Sequence, residues 1–437
     1  MRDVVVVGAG LTGLVASIRL RRAGLEVTLV HQGIGGLQLG QGTIDVLGYR
    51  PERVARPLDE LADFLAAQER QGGPSHPYAV TGPEAITEGV GFLSQLVGPQ
   101  LLVGDVHTNV ALPTAIGALR PTSLYQPSMA DGLVSLDPAE PGALHAGCRV
   151  VVVGIDELKD FPAQLIAGNL AATDLPDGGR LSTRAAQVSF PARGSEVDST
   201  GLNIARALDD PARRSEFARV LSAVVEPGET VALPAVLGIE DARAFPELRA
   251  QLGTALFEIP LPPPGVPGMR INEKLTRIAR AERVEIISGS ALTGITAEAD
   301  RVSEVIVATS GHDTHIPARA VLLAPGGFES GALRLDSYQQ LSEPILDLPV
   351  ARPSGELIND SWAREQPLFR AGLATDTDMV VLDPRTGGPV HRNLHAAGGI
   401  LAGAQRWDEK SGEGIALASA MRACEAIVAR CEEKDHD

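Results

Sequence analysis

A dinucleotide-binding pattern near the start of the sequence constrains the fold more than any other feature. Residues 4–7 are consecutive valines, a β-branched run that suits a central parallel strand buried on both faces. Gly8, Gly10 and Gly13 follow as G-x-G-x-x-G: the first permits a tight turn, the second lets backbone approach a phosphate, and the third lets a helix pack on the strand. Apolar spacing over 11–22 then predicts the helix. The pattern predicts a βαβ unit with its helix N-terminus at a phosphate.

The βαβ unit departs from the usual pattern at its second strand. His31 stands where an acidic residue would hydrogen-bond the ribose hydroxyls of an adenosine. A neutral histidine offers one acceptor and lacks the bidentate geometry of a carboxylate. Two interpretations stay open: FAD held by other contacts, or a ligand with a phosphate and no adenosine, which among flavins means FMN.

Length, charge and cysteine content exclude several classes of protein. The chain has 437 residues, which favours two domains, and a net charge of −17, which argues against nucleic acid and against direct adsorption to an anionic membrane. No apolar run is long enough to span a membrane and no targeting signal is evident, so we expect a cytoplasmic protein whose membrane contact goes through a partner. The three cysteines lack the spacing of a metal or iron–sulfur site.

Three further glycine-rich stretches can bring backbone N–H groups close to a flat ring or a phosphate. The first spans residues 33–49, with Thr43 and Asp45 as side-chain partners; the second follows an apolar strand at 321–324; the third ends in a helix that opens at 412–414. A helix N-terminus there would stabilise negative charge on a bound ring. Besides the first three glycines, we predict cofactor contacts from Gly42, Thr43, Gly326, Gly398, Gly399, Gly414 and Ile415.

The remaining sequence indicates a second α/β unit. Residues 148–172 read as a strand and a helix, 230–238 as another strand, and the proline-rich stretch 259–270 as a rigid connector at a domain boundary. The expected fold class is α/β: a Rossmann-like FAD/NAD(P)-binding fold of a two-domain flavoprotein, with an inserted α/β cap domain. The expected parts are the flavin-binding domain at 1–60, 266–340 and 386–437, the inserted substrate or cap domain at 61–265, and a cap segment at 341–385.

The quoted motifs resemble those of a known family. VVVVGAGLTGLVASIRL, VLLAPGGF, NLHAAGG and GIALASA look like flavoproteins of the fumarate reductase and succinate dehydrogenase type. More narrowly, the sequence resembles the B subunit of anaerobic glycerol-3-phosphate dehydrogenase over nearly its full length. The segments that carry this resemblance are SHPY (75–78), LPTAIGALRPTSLY (112–125), VVVVGIDELKDF (150–161), LNIARALDD (202–210), LPPPGVPGMRINEKL (261–275) and EPILDLPV (343–350).

The resemblance implies an FMN-containing subunit that works with an FAD-containing A subunit and a membrane-bound iron–sulfur C subunit. It implies oxidation of sn-glycerol 3-phosphate to dihydroxyacetone phosphate, with electrons passed to a quinone, at the inner face of the membrane. FMN would need no residue for an adenosine ribose, which suits His31. Two alternatives stay open: a self-sufficient FAD-dependent oxidoreductase of fumarate-reductase type, or a non-catalytic subunit that relays electrons.

Such a reaction needs cations for the substrate phosphate and a base for the hydroxyl proton. Arginine suits a phosphate because its guanidinium is bidentate, and Arg120, Arg270 and Arg352 lie in the motif-bearing segments. Histidine titrates near neutral pH, so His395, within NLHAAGG, and His76 are the candidate bases.

Overall fold

The computed structural model describes residues 2–361 and 364–434. The helices are α1 (Leu11–Arg22), α2 (Pro57–Gln71), α3 (Pro77–Thr81), α4 (Pro83–Val97), α5 (Ala163–Ala172), α6 (Gly201–Leu208), α7 (Pro211–Ser222), α8 (Ala244–Leu252), α9 (Val266–Ala281), α10 (Arg406–Glu409) and α11 (Gly412–Lys434). Short 3₁₀ helices cover Gly36–Leu39, Pro127–Gly132, Phe328–Ser330, Pro367–Arg370 and Gly398–Ile400. The strands are β1 (Arg2–Val7), β2 (Val27–His31), β3 (Val103–Gly104), β4 (Val110–Pro113), β5 (Leu119–Thr122), β6 (Leu124–Tyr125), β7 (Val134–Ser135), β8 (Arg149–Ile155), β9 (Ser182–Val188), β10 (Thr230–Pro234), β11 (Leu256–Ile259), β12 (Glu285–Ser288), β13 (Ala291–Glu298), β14 (Arg301–Thr309), β15 (His312–Leu323), β16 (Arg334–Leu335), β17 (Leu341–Ser342), β18 (Ala374–Thr375), β19 (Val381–Leu382) and β20 (Leu394–Ala396).

The predicted βαβ unit forms the centre of the larger sheet. Within the described ranges this sheet runs β12-β2-β1-β15-β14-β13, and β20 pairs with β15. The strands β12, β2, β1, β15 and β20 are parallel, with Val5 opposite Thr28 on one side and Val321 on the other. Because β1 lies between two parallel neighbours and under helices, its valines are buried on both faces. The carboxyl ends of these strands therefore share one edge of the sheet.

A second sheet lies in the middle of the chain, as the sequence predicts. It is parallel throughout and runs β11-β10-β8-β9. The four valines of β8 are buried, and the core around them includes Phe217 and Phe257, both fully buried. Two sheets with separate cores thus make up the α/β architecture that the sequence predicts.

The two hydrophobic cores bear on the expected domain boundaries, which stay predictions. The core of the larger sheet also takes in Leu61, Phe64 and Tyr78 from α2 and α3, together with α4 and α11. The buried residues that form the core of the second sheet lie between Ala111 and Val266 in the sequence. The helices α3 and α4 accordingly pack with the larger sheet, because both contact α11, whose buried residues belong to the same core.

Most predicted elements are confirmed, with one correction. The predicted helix at 11–22, the strands at 148–155 and 230–234, and the helix from Gly412 are present. The proline-rich stretch 259–270 is not a connector throughout, because α9 begins inside it at Val266. Pro267 lies in the first helical turn, where a missing N–H removes no intrahelical bond. In the described part of the chain, no helix combines the length and apolar character needed to cross a membrane.

Candidate active site

The three glycines of the βαβ unit play two different structural roles. Gly8 has φ +107°, and a Cβ there would collide with the carbonyl oxygen of Ala324, the residue after β15. A Cβ on Gly13 would collide with the carbonyl oxygen of Gly8. Gly10 differs, because a Cβ there meets nothing within 4 Å, and as N-cap of α1 it makes no side-chain hydrogen bond. Gly10 therefore borders an open cradle in front of the free N–H groups of α1, and these residues fit the phosphate of a nucleotide.

Residues that follow β15 and β20 reach the same sheet edge. Gly398, with φ +77°, lies so close to Thr12 on α1 that a Cβ would collide with the threonine hydroxyl. The N–H of Gly398 donates to Ser419 Oγ on α11 at 2.9 Å. Gly326 and Gly399 lie in the same loops, after β15 and β20 respectively. The structure thus brings predicted cofactor residues from three distant segments to one edge; their contacts with a cofactor stay predictions.

The imidazole of His31 is held by the protein itself. At the end of β2, its Nδ1–H donates to the carbonyl of Gly33 at 2.7 Å, and its Nε2 accepts from Ser288 Oγ at 2.9 Å. Both ring nitrogens are therefore engaged, and the position offers no carboxylate to an adenosine ribose.

A buried polar cluster joins the glycine-rich stretch to β5. Arg120 Nη2 donates to Thr43 Oγ1 and to Asp45 Oδ2, both at 2.7 Å, and Thr122 Oγ1 donates to Asp45 Oδ1 at 2.6 Å. Both oxygens of Asp45 thus accept hydrogen bonds, as suits an ionised carboxylate. Its backbone carbonyl accepts from the N–H of Gly414, at 3.0 Å, in the first turn of α11. Thr43 and Gly414, both predicted to contact the cofactor, are therefore brought together.

Glu413 and Lys410 face this cluster from the start of α11. Burial and the nearby charge of Asp45 raise the pKa of Glu413 to about 7, although Arg120 opposes the shift. Burial, together with Arg120, lowers the pKa of Lys410. Glu413 is half-buried, so part of its surface remains accessible.

His76 takes part in a buried hydrogen-bonded pair with Glu409. Its Nδ1 accepts from the N–H of Tyr78 at 3.1 Å, and its Nε2 lies 3.1 Å from Glu409 Oε2. Burial raises the pKa of Glu409, but His76, Ser411 Oγ and the N–H of Gln405 overcome this effect and hold it below its usual value. Both nitrogens of His76 are engaged in linking α3 to the end of α10. Its assignment as a base stays a prediction, which this arrangement does not favour.

His395 lies on β20 with no exposed surface. Its Nδ1–H donates to the carbonyl of Asp378 at 2.9 Å, and burial lowers the pKa of the imidazole to about 4. It is therefore neutral and inside the core at physiological pH. Its assignment as a base also stays a prediction, against which its burial argues.

The three predicted phosphate-binding arginines differ in their surroundings. Arg270 on α9 donates to Glu258 at 2.7 and 3.0 Å, to Gln126 and to the carbonyl of Gly238, so one of its N–H donors is left. Burial raises the pKa of Glu258, but Arg270 overcomes this effect and holds it below its usual value. Arg352 is exposed. The Nε and Nη1 donors of Arg120 make no hydrogen bond among the described residues. All three substrate roles stay predictions.

A cavity of about 460 Å³ opens beside Arg270. It lies where α4, α9 and the loop after β10 meet, between the two hydrophobic cores. Gln126 forms one wall, and its Nε2 donates to the carbonyl of Pro267 at 2.7 Å. A Cβ on Gly42 would meet Pro267 and Gln126, so this cavity and the cluster around Arg120 lie on either side of the same glycine-rich segment.

Sequence reasoning missed Glu413. The available signal was a carboxyl in the first helical turn of S-G-E-G, inside a stretch already predicted to approach the ring. The arrangement as a whole can bind a phosphate at α1, place a second anion at Arg120 and hold a proton at Glu413.

Comparisons with known proteins agree with this geometry. The family model described as FAD binding domain matches residues 3–415. The B subunit of anaerobic glycerol-3-phosphate dehydrogenase from Pectobacterium atrosepticum is 30% identical over 98% of both chains. The probable B subunit of the same enzyme from Halobacterium salinarum is 28% identical over 96% of both. Among solved structures, 3-ketosteroid delta1-dehydrogenase from Sterolibacterium denitrificans has a TM-score of 0.47 and 12% identity, covering 98% of this chain and 99% of that chain. The chain therefore belongs to the FAD-binding domain family and, within it, to the family of anaerobic glycerol-3-phosphate dehydrogenase B subunits.

Proposed function

We propose that the chain is a flavin-dependent oxidoreductase subunit that oxidises sn-glycerol 3-phosphate to dihydroxyacetone phosphate, with the electrons passing to a quinone. The similarity to B-subunit relatives over almost the whole chain carries this proposal, since it covers both the cradle and the Arg120 cluster. We further propose a complex with an FAD-containing A subunit and a membrane-bound iron–sulfur C subunit. The chain would then be peripheral to the inner face of the membrane, in the cytoplasm, through that partner.

The cradle at Gly10 supports a flavin held through its phosphate. The family description favours FAD, and we propose FAD as the resident cofactor. Because the ring nitrogens of His31 are engaged, an adenosine would need contacts other than a ribose carboxylate. The engaged nitrogens of His31 support FMN, the cofactor predicted from the sequence. The first experiment therefore distinguishes FAD from FMN.

When bound, a flavin supplies a two-electron acceptor for the hydride of a secondary alcohol. Among the described residues, hydrogen bonds of the Arg120 side chain run through Nη2 alone. Its Nε and Nη1 donors remain for a substrate phosphate, and Asp45 fixes the plane of the guanidinium. Arg120 is 19% exposed, so an anion can reach it.

The cofactor is tested by denaturing the purified full-length protein and determining the mass of the released small molecule. FAD supports the proposed cofactor. FMN confirms the prediction made from His31, and the absence of any flavin refutes the proposed function.

The reaction is tested by mixing the flavin-loaded protein with sn-glycerol 3-phosphate without oxygen and following the loss of visible flavin absorption. We expect reduction, with weaker substrate binding in Arg120→Ala and unchanged binding in Arg180→Ala, an exposed arginine of the second α/β unit. Reduction that occurs only after the FAD-containing A subunit is added would support the electron-relay alternative. Reduction of fumarate without glycerol 3-phosphate oxidation would support the self-sufficient alternative.

A further inference from the structure

The start of α11 is fixed against the glycine-rich stretch, and this places Glu413 in the polar cluster. The N–H of Gly414 donates to the carbonyl of Asp45 at 3.0 Å. Farther along α11, Ser419 Oγ accepts from Gly398, which lies against Thr12 in the first turn of α1. One helix therefore connects the phosphate cradle with the carboxyl group of Glu413.

The two carboxyl groups of the cluster, those of Asp45 and Glu413, differ in their surroundings. The oxygens of Asp45 accept from Arg120 and Thr122, which supports a fixed negative charge there. Glu413 lies beside that charge in a protein environment, so its own ionisation is disfavoured. Burial and Asp45 thus raise its pKa to about 7, the range in which a group both accepts and releases protons efficiently.

Neither predicted histidine offers an accessible free nitrogen, because the Nε2 of His395, which has no hydrogen-bond partner among the described residues, is fully buried. His76 uses both nitrogens, toward Tyr78 and Glu409, and His395 has no accessible surface. Glu413, in contrast, retains accessible surface.

We infer that Glu413 is the group that accepts the hydroxyl proton of the alcohol substrate at the flavin site, an inference that rests on the proposed function. In the step, the O–H bond of the alcohol breaks and its proton goes to a carboxylate oxygen of Glu413. The adjacent C–H bond breaks and a C=O bond forms, which oxidises the alcohol by two electrons. A bound oxidised flavin would supply the two-electron acceptor, taking the hydrogen and its electron pair as hydride.

The charged groups that face Glu413 come from four segments. Asp45 lies in the glycine-rich stretch, Arg120 on β5, Lys410 just before α11, and Tyr78 on α3. Burial, with the charges of Glu409, Glu413 and Asp45, raises the pKa of Tyr78, so its hydroxyl stays protonated. Arg120 is the cation that opposes protonation of Glu413, and Asp45 is the anion that favours it.

The experiment compares four forms of the flavin-loaded full-length protein: the parent, Glu413→Gln, Glu413→Asp and Glu425→Gln. Glutamine has the size of the acid but carries no exchangeable acid proton, and Asp restores a carboxyl group. Glu425 is an exposed residue of the same helix, ion-paired with Arg422, and serves as the matched control. Flavin content shows whether each variant folds.

The first readout is the infrared carbonyl band of a protonated carboxyl group as a function of pH. We expect a band that disappears with a midpoint near pH 7 in the parent and in Glu425→Gln, and that is absent in Glu413→Gln. This readout requires neither substrate nor turnover. A band that persists unchanged in Glu413→Gln would overturn the inference.

The second readout is the rate of flavin reduction by glycerol 3-phosphate as a function of pH. We expect Glu413→Gln to lower this rate by about 10²–10⁴-fold and to abolish its rise around pH 7, with the substrate dissociation constant unchanged. Glu413→Asp should recover the pH dependence. A parental rate and pH profile in Glu413→Gln would refute the inference. A parent protein that glycerol 3-phosphate does not reduce would instead refute the proposed substrate, and the infrared titration would still show whether Glu413 exchanges a proton near pH 7.

Discussion

Replacement of Gly10 by Ala should weaken flavin binding strongly without unfolding the protein. Gly10 has φ −78° and ψ −172°, a conformation open to any residue, and a Cβ there meets no protein atom within 4 Å. The added methyl group therefore costs the fold nothing, but it projects into the cradle in front of α1. The structure separates the ligand-binding role of this glycine from its effect on folding.

The expected magnitude follows from the hydrogen bonds that the methyl group blocks. A phosphate at the N-terminus of α1 accepts from free backbone N–H groups, and a hydrogen bond to a charged group contributes about 1.5–3 kcal/mol. Loss of two such bonds costs about 3 kcal/mol, which weakens flavin binding by more than about a hundredfold. The free energy of unfolding of the flavin-free protein should change by less than about 0.5 kcal/mol.

The assay combines flavin titration of the apoprotein, followed by fluorescence, with urea unfolding. Gly168→Ala on α5 is the matched control, because it adds the same methyl group in open space on an exposed helical surface. Flavin binding should be unchanged, and the free energy of unfolding should rise by about 0.5–1 kcal/mol. Gly13→Ala is the opposite case, because its Cβ collides with Gly8 and should destabilise the fold by about 3 kcal/mol. Parental flavin affinity in Gly10→Ala would refute the placement of the phosphate.

Three further variants test the electrostatics and hydrogen bonding of the site. Glu413→Gln should stabilise the fold at high pH alone. The pKa of Glu413 is about 7 in the folded protein against the usual 4.5, so the folded state loses about 3 kcal/mol of stability as the pH rises between these values. Urea unfolding as a function of pH should show this loss in the parent but not in the variant. Glu258→Gln leaves the Arg270 charge without its carboxylate and should lower the free energy of unfolding by about 3–5 kcal/mol; an unchanged urea midpoint would contradict the buried pair. Tyr78→Phe removes the hydrogen bond from the hydroxyl to the carbonyl of Val46 and should cost about 1–2 kcal/mol in thermal unfolding, whereas an unshifted transition would show that the bond contributes nothing.

The sequence predicts the phosphate cradle because its determinants are local. A run of β-branched residues, three glycines at fixed spacing and one helical period occupy consecutive positions, and each is a direct consequence of backbone geometry. The helix from Gly412 is predictable for the same reason. The connector predicted at 259–270 overlaps the start of α9, because Pro267 suits both an extended connector and a first helical turn.

The polar cluster could not be predicted in the same way, because its members are remote in sequence. Arg120 lies 75 residues from Asp45, and His76 lies 333 residues from Glu409. Periodicity identifies a buried face but does not identify which charged residue of another element will meet it. Arg270 shows the consequence: its position in a motif suggested a ligand role, whereas most of its donors bind Glu258, Gln126 and backbone.

The remote pairs also explain how a carboxyl group can occupy the start of α11 with a raised pKa. Glu409 binds His76, and the hydroxyl of Tyr78 donates to the carbonyl of Ser411, so α3 holds the turn that precedes α11 from one side. The carbonyl of Asp45 holds the first turn from the other side. With the backbone fixed at both ends, Glu413 cannot move away from Asp45 to relieve the repulsion between the two carboxyl groups, and protonation is the remaining way to reduce it. The hydrogen bonds that anchor this turn are thus the reason that burial and Asp45 raise the pKa of Glu413.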